Sequence, residues 1–194
     1  MFKELKPAFL MMVVMTVLTG LLYPAVVTGI AQVAFKDQAN GSLVMVNGEV
    51  VGSRLIGQNF SKAEYFHPRP SAAGDKGYDP TATGGSNLGP TSEKLLNAIK
   101  ARVADYRREN ALDPSTPIPA DAVTASASGI DPHISPRNAE IQAARVAKAR
   151  GATTEQVQMV VNEHTEGRTW GVLGEPRVNV LELNLALDAR FPKK

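Results

Sequence analysis

The three histidines, His67, His133 and His164, are the first residues to test for chemistry, and none has a second His or Cys at metal-ligand spacing. His164 shares a helical face with Val157, Val160 and Val161, the setting of a packed core histidine rather than a ligand. Ser126 and Ser128 stand among small residues, with Asp131 and His133 just downstream, the residue types of a nucleophilic hydrolase. The stretch lacks the Gly-x-Ser-x-Gly elbow that exposes a nucleophile, and nearness in sequence does not make a triad. Residues 84–90 are glycine-rich like a phosphate cradle. They have no Gly-Lys-Ser/Thr ending and Pro90 has no N–H to donate, so they read as a tight turn. No catalytic residue and no metal ligand is assigned.

His67 has a different setting. Tyr65-Phe66-His67-Pro68-Arg69-Pro70 gathers aromatic and basic groups inside residues 57–91, which show no periodicity yet also hold Phe60 and Tyr78. Disordered linkers are poor in aromatics, and an ordered loop of this length is usually packed and functional. Two readings stay open. In one, Phe60, Tyr65, Phe66, His67, Arg69 and Asn87 belong to a docking surface, since aromatics and Arg are the anchors of interfaces. In the other, Phe60, Tyr65 and Phe66 turn inward and complete the core. Arg137, Arg145 and Lys148 fall on one helical stripe, with Arg150 following, and are expected to form a solvated face.

These residues need elements to hold them, and the chain first supplies a membrane anchor. From Pro7 to Phe35 there is no charged side chain. At about 1.5 Å per residue that run makes a helix of roughly 43 Å, longer than the roughly 30 Å of bilayer hydrocarbon. A secretory signal has an apolar region of only about 7–15 residues, so the run reads as a retained anchor. Lys3, Lys6 and the α-amine outweigh Glu4, while Lys36 and Asp37 cancel. By the positive-inside rule residues 1–6 are a cytoplasmic tail, 7–35 the transmembrane helix and 36–194 an extracytoplasmic domain. Thr16 and Gly20, and again Ala25 and Gly29, lie four apart and let another helix approach; Pro24 should kink the span. Gly20, Pro24 and Gly29 are therefore candidate packing residues.

Beyond residue 35 acidic and basic side chains nearly balance, which argues against nucleic acid as a partner. The absence of cysteine excludes a disulfide framework, and about 160 residues can bury a core without one. Asn47-Gly48 between two apolar runs predicts a hairpin over residues 42–52. Thr91 or Ser92 caps a helix at about 92–110, with Leu95, Leu96, Ile99, Val103 and Tyr106 as its stripe. Ser135-Pro136 opens a second helix that Gly151 closes, and Thr153 with Gln156 forms a capping box for a third. Residues from Val178 read as a short strand running into a helix. The fold class is α+β: a single N-terminal transmembrane helix followed by one mixed α/β extracytoplasmic domain.

Several unusual strings occur in order. They are Thr19-Gly20 with Tyr23-Pro24, then Ile56-Gly57-Gln58-Asn59-Phe60, Tyr65 to Ala72, Gly84 to Leu88, Val123 to Asp131 and Val178 to Asp188. Together they closely resemble the KdpC family, the C subunit of the bacterial high-affinity potassium-transporting ATPase. The resemblance implies a subunit of a complex with the channel-like KdpA, the P-type ATPase KdpB and the KdpF peptide, in the bacterial inner membrane. It implies a non-catalytic assembly or regulatory role, with ATP and K+ handled by the complex. A catalytic chaperone that contacts nucleotide and raises ATP affinity is the alternative, and an anchored hydrolase a distant one. With some six residues in the cytoplasm and no P-loop, an indirect effect through packing against KdpA fits the derived topology better.

Overall fold

The computed structural model describes residues 2–192, with the backbone alone at Phe2, and the chain forms two compact units, Met1–Val51 and Gly52–Lys194. The α-amine of Met1 and the last two residues of the expected domain lie outside the described residues.

In the first unit Leu5–Ala34 is one helix, long and apolar enough to cross a membrane, with no buried side chain. Its middle, Thr16–Leu22, is π-helical, and the Tyr23 N–H donates to the Leu18 carbonyl five residues back. Pro24 follows in the first turn of Tyr23–Ala34. A proline ring crowds the carbonyl four residues behind it and supplies no N–H, and a widened preceding turn relieves the crowding. The disturbance expected at Pro24 takes this form. A single helical turn, Lys36–Ala39, then leads to a hairpin of Leu43–Val46 and Glu49–Ser53, whose last two residues begin the second unit. Asn47 and Gly48 at its turn have φ of 53° and 86°, as a type I′ turn demands.

In the second unit the helices start where local caps place them. Ser92 accepts the Leu95 N–H to open Glu93–Glu109, and Ser135 accepts the Asn138 N–H to open Pro136–Arg150. Gly151, at φ 68°, closes the latter, and the Thr153–Gln156 capping box opens Thr154–Glu163. Asn179 caps the last helix, Val180–Arg190. A three-stranded sheet has Arg177–Asn179 at its centre, antiparallel to His133–Ile134 and Thr165–Glu166, with His133 opposite Asn179 and Thr165 opposite Val178. The main core gathers Val146, Val157, Val160, Val161, Val178, Leu183 and Leu187, and a smaller cluster joins Tyr106 to Ala122, Val123 and Ile141. Two expectations need correction. Leu96 is exposed, just off the half-buried stripe of Leu95, Ile99 and Val103, and His164 is half-buried at the end of its helix, its Nδ1 2.9 Å from the Val160 carbonyl. Residues 57–91 contain no helix or strand.

Candidate functional site

A loop without a hydrogen-bond ladder must satisfy its backbone elsewhere, and here side chains of two helices do so. Asn184 accepts the Phe66 N–H at Oδ1 (2.8 Å) and donates Nδ2 to the Phe66 carbonyl (3.0 Å). Gln142 repeats this at the next residue: Oε1 accepts the His67 N–H at 2.7 Å and Nε2 donates to the His67 carbonyl at 3.1 Å. Each amide stands in for a neighbouring strand, and both are buried. Phe66 itself is fully buried in the main core. For that residue the inward reading holds, and its side chain is not available as a surface contact.

Two arginines complete the clamp. Arg145 donates Nη1 to the carbonyls of Ala63 (2.7 Å) and Tyr65 (3.0 Å), Nη2 to Gln142 Oε1 (2.7 Å) and Nε to Asn110 Oδ1 (3.0 Å). Arg150 donates to the Glu64 and Phe191 carbonyls and to Asp188 Oδ1, and its guanidinium lies 5.1 Å from the centre of the Tyr65 ring. The Tyr65 hydroxyl donates to the other oxygen of Asp188 at 3.0 Å, and its ring meets Phe60 at 5.4 Å. The expected solvated stripe is therefore half right. Arg137 and Lys148 are exposed, but the Arg145 and Arg150 side chains are only 8% and 1% exposed. They turn inward onto the carbonyls of Ala63, Glu64 and Tyr65 in the loop beside them, which a guanidinium with five donors can meet together.

Residues 124–131 lie against the loop by close backbone approach. The Gly57 N–H donates to the Ile130 carbonyl at 2.8 Å, and the Gly84 N–H to that of Ser128 at 2.9 Å. A Cβ at Gly57 would stand 2.5 Å from the Asp131 carbonyl oxygen, and one at Gly129 would stand 2.6 Å from the Ala73 Cβ. Buried Ser126 accepts the Gly129 N–H, and Ser128 accepts the Ile130 N–H. Asp131 receives Arg69 Nη1 at 2.8 Å and the His133 N–H at 3.0 Å. Burial opposes the charge on Asp131, but hydrogen bonds from His133 and Arg69 outweigh it and hold the carboxyl below its ordinary value. The residue types that suggested a hydrolase are engaged in fastening these turns.

Between the loop and Glu93–Glu109 opens a cleft of about 440 Å³. Tyr106, Asn138 and Gln142 line it, with Arg69 and Tyr78 from the loop and Arg102, Asp105 and Glu109 from the helix. His67 joins the two walls, its Nδ1 2.7 Å from Glu109 Oε1 and its Nε2 3.0 Å from the Lys62 carbonyl. The His67 hydrogen bond, working against burial, holds the Glu109 carboxyl below its usual range. Burial pushes the phenols of Tyr78 and Tyr106 well upward, so both stay neutral donors, to the Arg69 carbonyl and to Asn138 Oδ1. The result is a stiff polar surface bearing both signs of charge.

The structure thus brings Phe60, Tyr65, Phe66, His67 and Arg69 together in the clamped loop, and leaves Asn87 exposed at φ 51° further along it. Gly20, Pro24 and Gly29 lie in the first unit, exposed along the helix. The sequence reading missed Gln142, Asn184, Arg145 and Arg150 as loop holders. The available signal was two amides interrupting apolar helical faces.

Residues 5–189 match the family described as KdpC: K+-transporting ATPase, c chain. A Mycobacterium tuberculosis protein named potassium-transporting ATPase KdpC subunit is 56% identical over 97% of this chain and 99% of its own length. Proteins of the same name from Koribacter versatilis and Myxococcus xanthus are 55% and 60% identical, covering 99% and 98% of this chain and 97% and 90% of their own lengths. Likeness of this depth spans the apolar helix, the clamped loop and the final helix alike, and the chain belongs to the KdpC family of potassium-transporting ATPase subunits.

Proposed function

We propose that this subunit of a potassium-transporting ATPase is a non-catalytic assembly and regulatory component that packs against the channel-like KdpA, with KdpB and KdpF as its further partners. The observation that carries the reading is the clamp. Residues 63–67 are held by four side chains from two helices, so the rest of the loop is presented in one shape. A surface already ordered loses little conformational entropy on docking. ATP hydrolysis and K+ movement are then tasks of the partners, supported from outside the cytoplasm. The apolar helix adds a second, intramembrane contact through Gly20, Pro24 and Gly29.

Co-purification of the affinity-tagged chain from native membranes, with partners identified by mass, tests this. The channel-like and ATPase subunits are expected to co-purify with the tagged chain. Lys76→Glu combined with Asn87→Gly alters two exposed loop positions, the glycine keeping the positive φ at 87. Recovery of the channel-like subunit should fall several-fold while thermal unfolding stays unchanged. Full recovery would remove this face from the interface, and failure to recover either subunit with the unaltered chain would end the assembly role.

A further inference from the structure

The strands Thr165–Glu166 and Arg177–Asn179 continue outward as a tight hairpin. Thr169 and Leu173 exchange both backbone hydrogen bonds at 2.9 Å, and the Gly171 N–H donates to the Arg168 carbonyl. Trp170 and Gly171 turn the chain with φ of 54° and 77°. This braced turn holds the one tryptophan of the chain 87% exposed, beside Val172 and Leu173 at 71% and 53%. Below it Arg168 pairs with Glu175 at 2.7 Å and Arg177 with Glu166 at 2.8 Å, so the base is polar with its charges cancelled.

We infer that this tip is a second membrane contact, which seats Trp170 among the lipid headgroups while the apolar helix spans the bilayer. Three apolar side chains on a convex turn fall well short of the roughly 800 Å² per partner that a stable protein interface takes. A lipid surface asks for no such area. Tryptophan prefers the membrane–water boundary, and the arginines behind it have stems long enough to lie along that boundary. The bilayer is also within reach. The 17 residues between Ala34 and Gly52 would span at most about 60 Å if fully extended, and a helical turn and a hairpin shorten that tether. The hairpin rises from the strand that holds the start of this unit: Asn179 donates to the Arg54 carbonyl at 2.9 Å, and Arg54 pairs with Glu182 at 2.9 Å. For a tethered domain a weak contact is enough, because tethering replaces affinity with effective concentration.

Because Trp170 is the chain's only tryptophan, its emission reports the seat directly. The full chain, reconstituted in phosphatidylcholine vesicles, is measured with lipids brominated at shallow acyl positions and, separately, with aqueous acrylamide. Brominated lipid should quench emission by about half, and acrylamide quenching should be several-fold weaker than for the unfolded chain. Val172→Ser with Leu173→Ser should restore water-like emission with thermal unfolding unchanged. Emission open to acrylamide and indifferent to brominated lipid would place Trp170 in water and overturn the inference. So would a double variant that unfolds like the parent and is quenched by the lipid just as strongly.

Discussion

Gln142 and Asn184 close both hydrogen-bonding groups of two consecutive loop residues, a task that β pairing performs elsewhere. Replacing Gln142 by Leu keeps the volume roughly constant but strands the His67 N–H and carbonyl and removes a partner from Arg145. Each stranded group costs about 1–3 kcal/mol, so the two together should cost the domain roughly 2–6 kcal/mol. For a unit of this size that lowers Tm by about 5–20 °C. Circular dichroism of the full chain in detergent should show the drop for Gln142→Leu and for Asn184→Leu, with Asn87→Gly near wild type. A Tm within two degrees for both leucine variants would mean the clamp contributes nothing. This part of the site was out of reach of the sequence for a physical reason. Gln142 bonds a residue 75 positions away and Asn184 one 118 away. Nothing local in a helix says which distant carbonyl its amide will meet, or that Arg145 will turn inward while Arg137 stays in water.

At the scale of elements, legibility followed range. Ser92, Ser135, Thr153 and Gly151 fix helix ends through groups three or four residues away, and each cap lies where the sequence placed it. Asn47-Gly48 set the hairpin in the same way. The two-residue strands His133–Ile134 and Thr165–Glu166 and the helical turn Ala120–Val123 have no period to read; pairing and packing with distant residues make them. The apolar helix offers a cleaner test of its small-residue face. A Cβ at Gly20 would meet only Thr16 Cγ2 at 3.9 Å, and one at Gly29 nothing within 4 Å. A Cβ at either position meets no clash within this helix, and a bulkier leucine there is expected to act by holding a partner helix off. Gly20→Leu with Gly29→Leu should reduce recovery of the complex several-fold at unchanged chain abundance in membranes. Undiminished recovery would make the small residues incidental to packing.

For the whole molecule, the open quantity is the side of the membrane on which Gly52–Lys194 lies, and it controls what the subunit can touch. Lys3 and Lys6 against Glu4 bias the short tail inward, and the nearly neutral segment after residue 35 gives no opposing pull. A domain outside meets neither ATP nor the nucleotide-handling face of a P-type ATPase. Any influence on hydrolysis must then pass through subunits in the membrane. A domain inside would reopen direct nucleotide contact at the mixed-charge cleft. The chain has no cysteine, so single replacements are clean reporters. Ser115 is exposed in the connection after Glu93–Glu109, and cysteine there should leave the core untouched. In intact spheroplasts an impermeant thiol reagent should label Ser115→Cys fully and Phe2→Cys only after the membrane is opened. The reverse pattern would place the domain in the cytoplasm and dissolve the objection to ATP contact. It would leave the lipid seat of Trp170 standing, since either leaflet offers the same boundary.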